Sequence, residues 1–532
     1  MNNVSTTSSI EGSHPQEPNW PRSWRAYACW LGCFFLMFNS WGLVNAYGTF
    51  ASYYVGNSLR WTDQLQLNLI GSTQSFLVLL FSGPVGRLLD AGHFRSVICT
   101  GTFLVPFGMF MLSIAHPDKD GEAKYVNIWV TQGFVVGLGM SCFFVSSSQI
   151  AATWFPNRKG LAVGMVACGA SIAGVVYPTM VRFLVDAIGF NHAVRAVAGL
   201  VTVTSFFSLL FAAPNPAHNH PRPQSYRKLK TWIDTEAFRN RSFCWFTAAV
   251  AFLFLGFYPV FFNLEEWAAI SGFGTRQGTV APMKYVSPSE APLQTFWLLA
   301  ILNGASTFGR LTMAAFCDKT GQLNMHIGAQ FISSLFVLIF WSLARSTIHA
   351  IAFCVSFGIT SGAVIGLPPA SIANILACTY STPETKAIGH AKLGQWVGMM
   401  YTVAAIPALI GPIIAGHLVT QYGDFITVQM WSGVNLMISA FCMLVSRWHL
   451  PCCDGEHVGT KLARMVGREP RFSEKGKEND ASDNETECGN TLEGISQATT
   501  RVPSAMVSRQ VSGDKLRMID TNGLVVGSDR NV

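Results

Sequence analysis

Residues 66–95 read QLNLIGSTQSFLVLLFSGPVGRLLDAGHFR, with no charged side chain between Gln66 and Gly86. That is the length of apolar chain an α-helix needs to cross the hydrocarbon of a bilayer, about 20 residues. The run closes in Gly86-Arg87-Leu88-Leu89-Asp90-Ala91-Gly92, and a new apolar block opens at Phe94-Arg95. Glycine permits the tight reversal that so short a connection demands. Two membrane-length helices joined by a charged turn define a polytopic membrane protein, and the rest of the chain repeats the pattern.

Outward from this hairpin, the same criterion predicts spans at 26–50, 66–90, 94–115, 126–154, 158–184 and 193–213. A polar stretch follows, then spans at 243–270, 292–317, 323–344, 348–377, 387–420 and 425–448. The count of twelve rests most on 348–377 and 387–420, where a misreading would make the number odd. The expected fold class is therefore an all-α membrane protein of twelve transmembrane helices. Composition agrees: of 532 residues 50% are hydrophobic and 12% charged, well under the ~25% charge of a soluble domain.

The net charge of +7 does not mark a nucleic-acid partner, because Lys and Arg sit at the ends of apolar blocks. There they orient helices in the bilayer. Ten of the 13 cysteines, from Cys29 to Cys442, lie inside apolar runs. A thiol behaves there as a small hydrophobe, so no disulfide framework is expected. With both termini placed in the cytosol, Lys and Arg on the inner side outnumber those outside by about two to one, as the positive-inside rule requires. The sequons at Asn3, Asn240 and Asn484 then face the cytosol and stay unglycosylated.

Five regions follow: a polar tail 1–25, a six-helix unit 26–213, a basic linker 214–242, a second six-helix unit 243–448 and a polar tail 449–532. The first tail has no apolar core of a cleavable signal, so the first span is expected to act as the targeting signal. The last tail has the composition of disorder. The two units carry an internal duplication. Gly86-Arg87 with Asp90-Ala91-Gly92 is matched by Gly309-Arg310 with Asp318-Lys319-Thr320-Gly321, each at the end of the second span of its unit. Arg158-Lys159-Gly160 entering the fifth span is likewise matched by Lys386–Lys392 entering the eleventh.

Arg87, Asp90, Arg95 and Asp318 of these turns are the candidate gating residues. An Asp there can accept from a neighbouring helix N-terminus or pair with Arg, holding one conformation and releasing in another; the plainer alternative is a polar turn. Candidate substrate contacts are polar groups inside spans, each costly in lipid without a partner or a wet cavity. Asn45, Gln149, Asn303, Arg310, Asn374 and Gln395 are selected, with Asn39 and Gln74 weighed beside them. An Asn or Gln also serves simply to bridge helices. Arg310, a permanent cation inside an apolar run, either meets an anionic solute or snorkels to the inner surface. Glu265 and Glu266, at the end of the seventh span, are expected as solvated surface carboxylates, with proton binding the alternative if they are buried. The glycines of the fifth and eleventh spans, Gly160, Gly164, Gly169, Gly174, Gly394, Gly398, Gly411 and Gly416, permit close helix contact.

Four segments carry a family resemblance: Trp41-Gly42-Leu43-Val44-Asn45-Ala46-Tyr47-Gly48, Gly86–Arg95, Arg158-Lys159-Gly160-Leu161-Ala162-Val163-Gly164, and Asn303-Gly304-Ala305-Ser306-Thr307-Phe308-Gly309-Arg310. Over roughly residues 25–450 the chain resembles the monocarboxylate-porter branch of the major facilitator superfamily, most closely its fungal members. The resemblance implies two six-helix pseudo-repeats, a plasma-membrane location and a small organic solute. Arg310 matches the family's arginine in the eighth span. The animal members' lysine in the first span is replaced by the stretch holding Asn45 and Ala46. Their Asp one turn before the arginine is replaced by Ser306. Fungal members without those groups are associated with vitamin or metabolite uptake and with export of secondary metabolites.

The expected function is secondary transport of a carboxylate, vitamin or secondary metabolite by alternating access. The rival is a membrane sensor that signals through its cytosolic tail. No G-x-x-x-x-G-K-[ST], H-E-x-x-H or G-x-S-x-G motif is present, so neither nucleotide-driven pumping nor an enzyme is expected. No cofactor or metal is expected. The expected partners are the lipid bilayer, the solute and, as a further candidate, a coupling proton, with the chain acting as a monomer. The alternative location is the vacuole or another internal membrane.

Overall fold

The computed structural model describes Pro21 and residues 23–59, 62–115, 124–155, 159–216, 232–275 and 293–450. The sequons at Asn3 and Asn484, the tail from 451, most of the linker and the side chain of Asp318 lie outside the described residues. Among the described residues twelve helical segments follow one another. They are α1 (Trp24–Ser58), α2 (Gln64–Asp90), α3 (Phe94–Ala115), α4 (Tyr125–Trp154), α5 (Lys159–Ile188) and α6 (Phe190–Phe211). After the linker come α7 (Arg241–Ile270), α8 (Phe296–Thr320), α9 (Gln322–Trp341), α10 (Thr347–Gly366, continued by Pro368–Thr379), α11 (Pro383–Tyr422) and α12 (Ile426–Trp448).

Eleven of these are long and apolar enough to cross a membrane. The exception is α8, whose Asn303, Ser306, Thr307 and Arg310 dilute its apolar character. Large apolar side chains point outward along the helices, as at Phe103, Phe206, Phe308, Ile348 and Phe441, all more than half exposed. In water such a surface would drive association; in lipid it is the required coat. Polar side chains turn inward instead, among them Asn39, Asn45, Asn68, Gln74, Asn263 and Gln330.

Several helices are interrupted where the sequence asks for it. Pro368 and Pro369 have no backbone N–H to continue the ladder, and α10 breaks at Leu367. α1 breaks at Asn39–Ser40, where Ser40 takes φ −103°, ψ −91°. The Asn39 side chain supports the break: its Nδ2 donates to Thr204 Oγ1 (2.9 Å), and its Oδ1 accepts from Tyr177 Oη (2.8 Å). Asn39 therefore bridges α1 to α5 and α6. Gln74 likewise bridges α2 to α4, its Nε2 donating to the Gln132 carbonyl at 2.8 Å.

The first six helices meet the last six where α2 packs on α11, α5 on α8 and α1 on α7. The end of the bundle where α1 begins and α2 finishes is called the near end, the opposite one the far end. Among the described cysteines eight are free thiols. Cys378, at the near end of α10, is disulfide-bonded, which corrects the expectation of free thiols at that position.

Candidate functional site

The break in α1 turns Trp41 into the middle of the bundle. Its ring stacks on Tyr258 of α7 (5.4 Å between centroids, 8° between planes) and on Phe254 (6.1 Å, 25°). Phe144 of α4 meets it edge-on at 5.3 Å, and Tyr401 of α11 packs on Phe144 at 5.1 Å. The α7 aromatics Phe254, Phe257, Tyr258 and Phe261 recur at i, i+3 and i+4, which puts them on neighbouring rows of one helix. Four helices from both sides of the linker thus build one aromatic cluster. The Trp41 indole N–H within it is buried and has no hydrogen-bond partner.

Beside the cluster, α5 presents nearly bare backbone to α8. Arg310 is turned inward at 5% exposure rather than out toward the surface. Its Nη1 donates to the Ala167 carbonyl, and its Nε is buried without a partner. Among the described residues no carboxylate pairs with it; Cys168 and Tyr258 are its electrostatic neighbours. About two turns earlier on α8, Asn303 Nδ2 donates to the Leu299 carbonyl of its own helix at 3.0 Å, leaving a buried Oδ1 with no partner. Asn303 lies against Gly174, where any side chain would collide with its amide. Ser171 and Ser306 are 3.2 Å apart, and Asn45 Nδ2 donates to the Ala170 carbonyl at 3.4 Å. Arg310, Asn303 and Asn45, selected from sequence, therefore converge on one stretch of α5.

The other selected residues lie toward the near end. Gln149 is half-buried on α4, with its Oε1 buried and unpartnered. Its Nε2 faces α11, 2.7 Å from where a Cβ on Gly394 would lie; both Asp90 carboxylate oxygens are 3.3 Å from the same point. Arg87 pairs with Asp90 across one turn at 3.4 Å. Arg95 is exposed, its guanidinium 6.0 Å over the Phe94 ring. Gln395 and Asn374 are half-buried. Among the described residues no hydrogen bond links either of them to Arg310.

Residues 232–240 of the linker dock on the start of α11. Asp234 Oδ2 accepts from Trp396 Nε1 at 3.0 Å and pairs with Lys392 at 3.3 Å, and Lys392 also pairs with Glu236 and donates to Tyr380 Oη at 3.1 Å. Burial pushes the Asp234 carboxyl up. Hydrogen bonds from Trp396, the Glu236 backbone N–H and Lys392, with the charge of Lys392, outweigh that and hold it below the usual carboxylate range.

The far end is closed by directed hydrogen bonds. Gln64 Nε2 and Asn68 Nδ2 of α2 both donate to Asn263 Oδ1 of α7, at 3.1 and 3.3 Å, and Asn68 Nδ2 also donates to the Pro412 carbonyl of α11 at 2.9 Å. The Thr49 hydroxyl of α1 donates to Glu265 of α7. Glu265 is 2% and Glu266 7% exposed, which corrects their expected place as solvated carboxylates. The helix continues to Ile270 and turns this segment inward against α1 rather than ending at the surface. Sequence reasoning also missed Trp41, Tyr258, Asn68 and Asn263. The Gln64–Asn68 pair at i, i+4 was the available signal, two amides stacked on one face at the start of a span.

A twelve-segment helical bundle, apolar outside and polar within, is the architecture of a multi-pass membrane carrier. Residues 29–391 match the Major Facilitator Superfamily, and the chain belongs to that family. It is 29% identical over 429 residues to an MFS-type transporter of Gibberella zeae, covering 80% of this chain and 88% of that one. It is 30% identical to an aspyridones efflux protein of Emericella nidulans (78% and 76% covered) and 25% identical to an agnestins efflux protein of Paecilomyces divaricatus (84% and 92% covered). These relatives are named as transporters and efflux proteins, not as enzymes.

Proposed function

We propose that this protein is a secondary transporter that exports an aromatic, acidic secondary metabolite, binding it between Arg310 and the Trp41–Tyr258 stack. The observation that carries the reading is Arg310: a buried guanidinium held by one backbone carbonyl, with its Nε unpartnered. A buried cation short of partners is costly, and an anionic group of a solute supplies what it lacks. Asn303 Oδ1 and the Trp41 N–H offer an acceptor and a donor beside it, and the aromatic faces suit a planar solute. The efflux proteins among the relatives support export and the metabolite class.

In this reading residues 26–213 and 243–448 form two units that rock about the site. Arg87, Asp90, Arg95 and Asp318 act in the near-end gate. Both termini are cytosolic and the cell membrane is the site of action. The test is uptake and efflux of labelled organic acids, vitamins and metabolites in transporter-deficient cells, comparing wild type with Arg310→Ala and Arg310→Lys. Removing a charged hydrogen-bond partner of the solute costs about 1.5–3 kcal/mol, so kcat/KM falls by about tenfold or more for anionic solutes. Lysine does not restore the planar fork. Unchanged transport by Arg310→Ala overturns the site.

A further inference from the structure

The mechanism above leaves a buried carboxylate unused. Glu265 projects from α7 into a small cleft of about 10 Å³ at the far end, room for about one water, lined by Thr49, Ser52 and Tyr53 of α1, Arg182 of α5, and Thr295 beside the start of α8. It accepts a hydrogen bond from Thr49, across the boundary between the first and last six helices. Arg182 faces it from α5 and is itself incompletely satisfied. Arg182 Nε donates to Gln294 at 3.2 Å and lies 3.9 Å from Asp186, while Nη1 is buried without a partner. Among the described residues the ionisable groups around Glu265 are Arg182 from α5, Glu266 on its own helix and Tyr53 from α1. Burial and the neighbouring Glu266 oppose its charged form, while the Thr49 hydroxyl and Arg182 favour it.

We infer that Glu265 is the proton-binding residue of the transport cycle, and that its charge clasps the far end shut. This deepens the transporter reading and rests on it. Charged, Glu265 accepts from Thr49 and attracts Arg182, drawing α7 toward α1 and α5. A proton arriving from water through the cleft adds to the carboxylate, cancels the attraction to Arg182 and loosens the clasp. Loss of the proton to water restores it. The residue belongs to the last six helices and both of its partners to the first six. Its protonation state thus acts on the boundary that alternating access must open.

The test needs no solute. Full-length protein in lipid nanodiscs is acidified while infrared spectra and hydrogen–deuterium exchange are recorded, for wild type, Glu265→Gln and Asn263→Ala. Wild type is expected to gain a protonated-carboxyl band on acidification and to lose protection over residues 47–58 and 260–270. Glu265→Gln is expected to lack that band and to stay as unprotected at every pH as acidified wild type. Asn263→Ala controls for mere loosening of the far end: it keeps both the band and the pH response. A band that persists in Glu265→Gln, or exchange in wild type that ignores pH, overturns the inference. A pH response without transport of any solute in the panel would instead overturn the transporter reading and leave the proton site standing.

Discussion

The first six helices touch the last six differently at the two ends of the bundle. Toward the near end the contact is backbone on backbone: a Cβ on Gly398 of α11 would sit 2.8 Å from the Gly83 Cα of α2, and Thr402 Oγ1 donates to the Leu80 carbonyl at 3.2 Å. At the far end close backbone contacts recur, where a Cβ on Gly416 of α11 would sit 2.8 Å from the Leu65 Cα of α2, but amides and a carboxylate are added to them through Gln64, Asn68, Asn263, Thr49 and Glu265. A glycine seam is held by dispersion, which has no preferred direction and survives sliding. Directed hydrogen bonds are made or broken as units. The near end thus rests mainly on close packing, and the far end adds a cluster of directed bonds to it.

The comparison can be broken most forcefully at the seam. Gly398→Val forces side-chain volume onto Gly83. It is expected to lower stability by about 1–3 kcal/mol and to abolish transport, read by thermal unfolding in detergent and by flux; a variant as stable and active as wild type would show that the helices are not in close contact there. Next comes the docked linker. Asp234→Asn is expected to lower stability by about 1–2 kcal/mol at neutral pH. Because the folded carboxyl titrates below the unfolded one, its contribution is present above about pH 4 and fades as pH falls through the folded value. Unfolding temperature measured against pH should therefore fall toward acid in wild type and fall less in the variant.

A smaller effect sharpens the far-end side. Asn263→Ala removes the acceptor shared by Gln64 and Asn68, at about 1 kcal/mol by the measured worth of hydrogen bonds between helices in membranes. Faster hydrogen exchange at the start of α2 is the expected readout, with the near end unchanged. If protection falls equally at both ends, the two contacts are not separable. The smallest effect is expected at Asn374, which no hydrogen bond ties to Arg310: Asn374→Ala should change stability by less than about 0.5 kcal/mol and leave the affinity for solute unaltered. A large loss of solute affinity would place α10 at the site.

The spans were legible because lipid imposes one rule, about 20 apolar residues per crossing, and the sequence obeys it. The expected 94–115 matches Phe94–Ala115, and 387–420 lies within Pro383–Tyr422. Where helices overrun the apolar window the boundary failed: 26–50 continues to Ser58 through a π-helical turn. Arg310, Asn303 and Asn45 stood out because polarity inside a span is rare. Trp41 and Tyr258 did not, since aromatic residues are as common facing lipid as facing a solute, and only the break at Ser40 turns Trp41 inward. Glu265 was visible but misplaced, because hydropathy reports how far a helix runs and not which way its last turns face.

The unmet hydrogen-bonding capacity of Arg310 has a practical side. A protein that carries an underused guanidinium in its centre is less stable alone than with an anion in place, and a ligand that binds only the folded form raises stability by RT ln(1 + [L]/Kd). Screening metabolites for the rise in melting temperature they cause would therefore single out the natural cargo, without a flux assay and without knowing which way it travels.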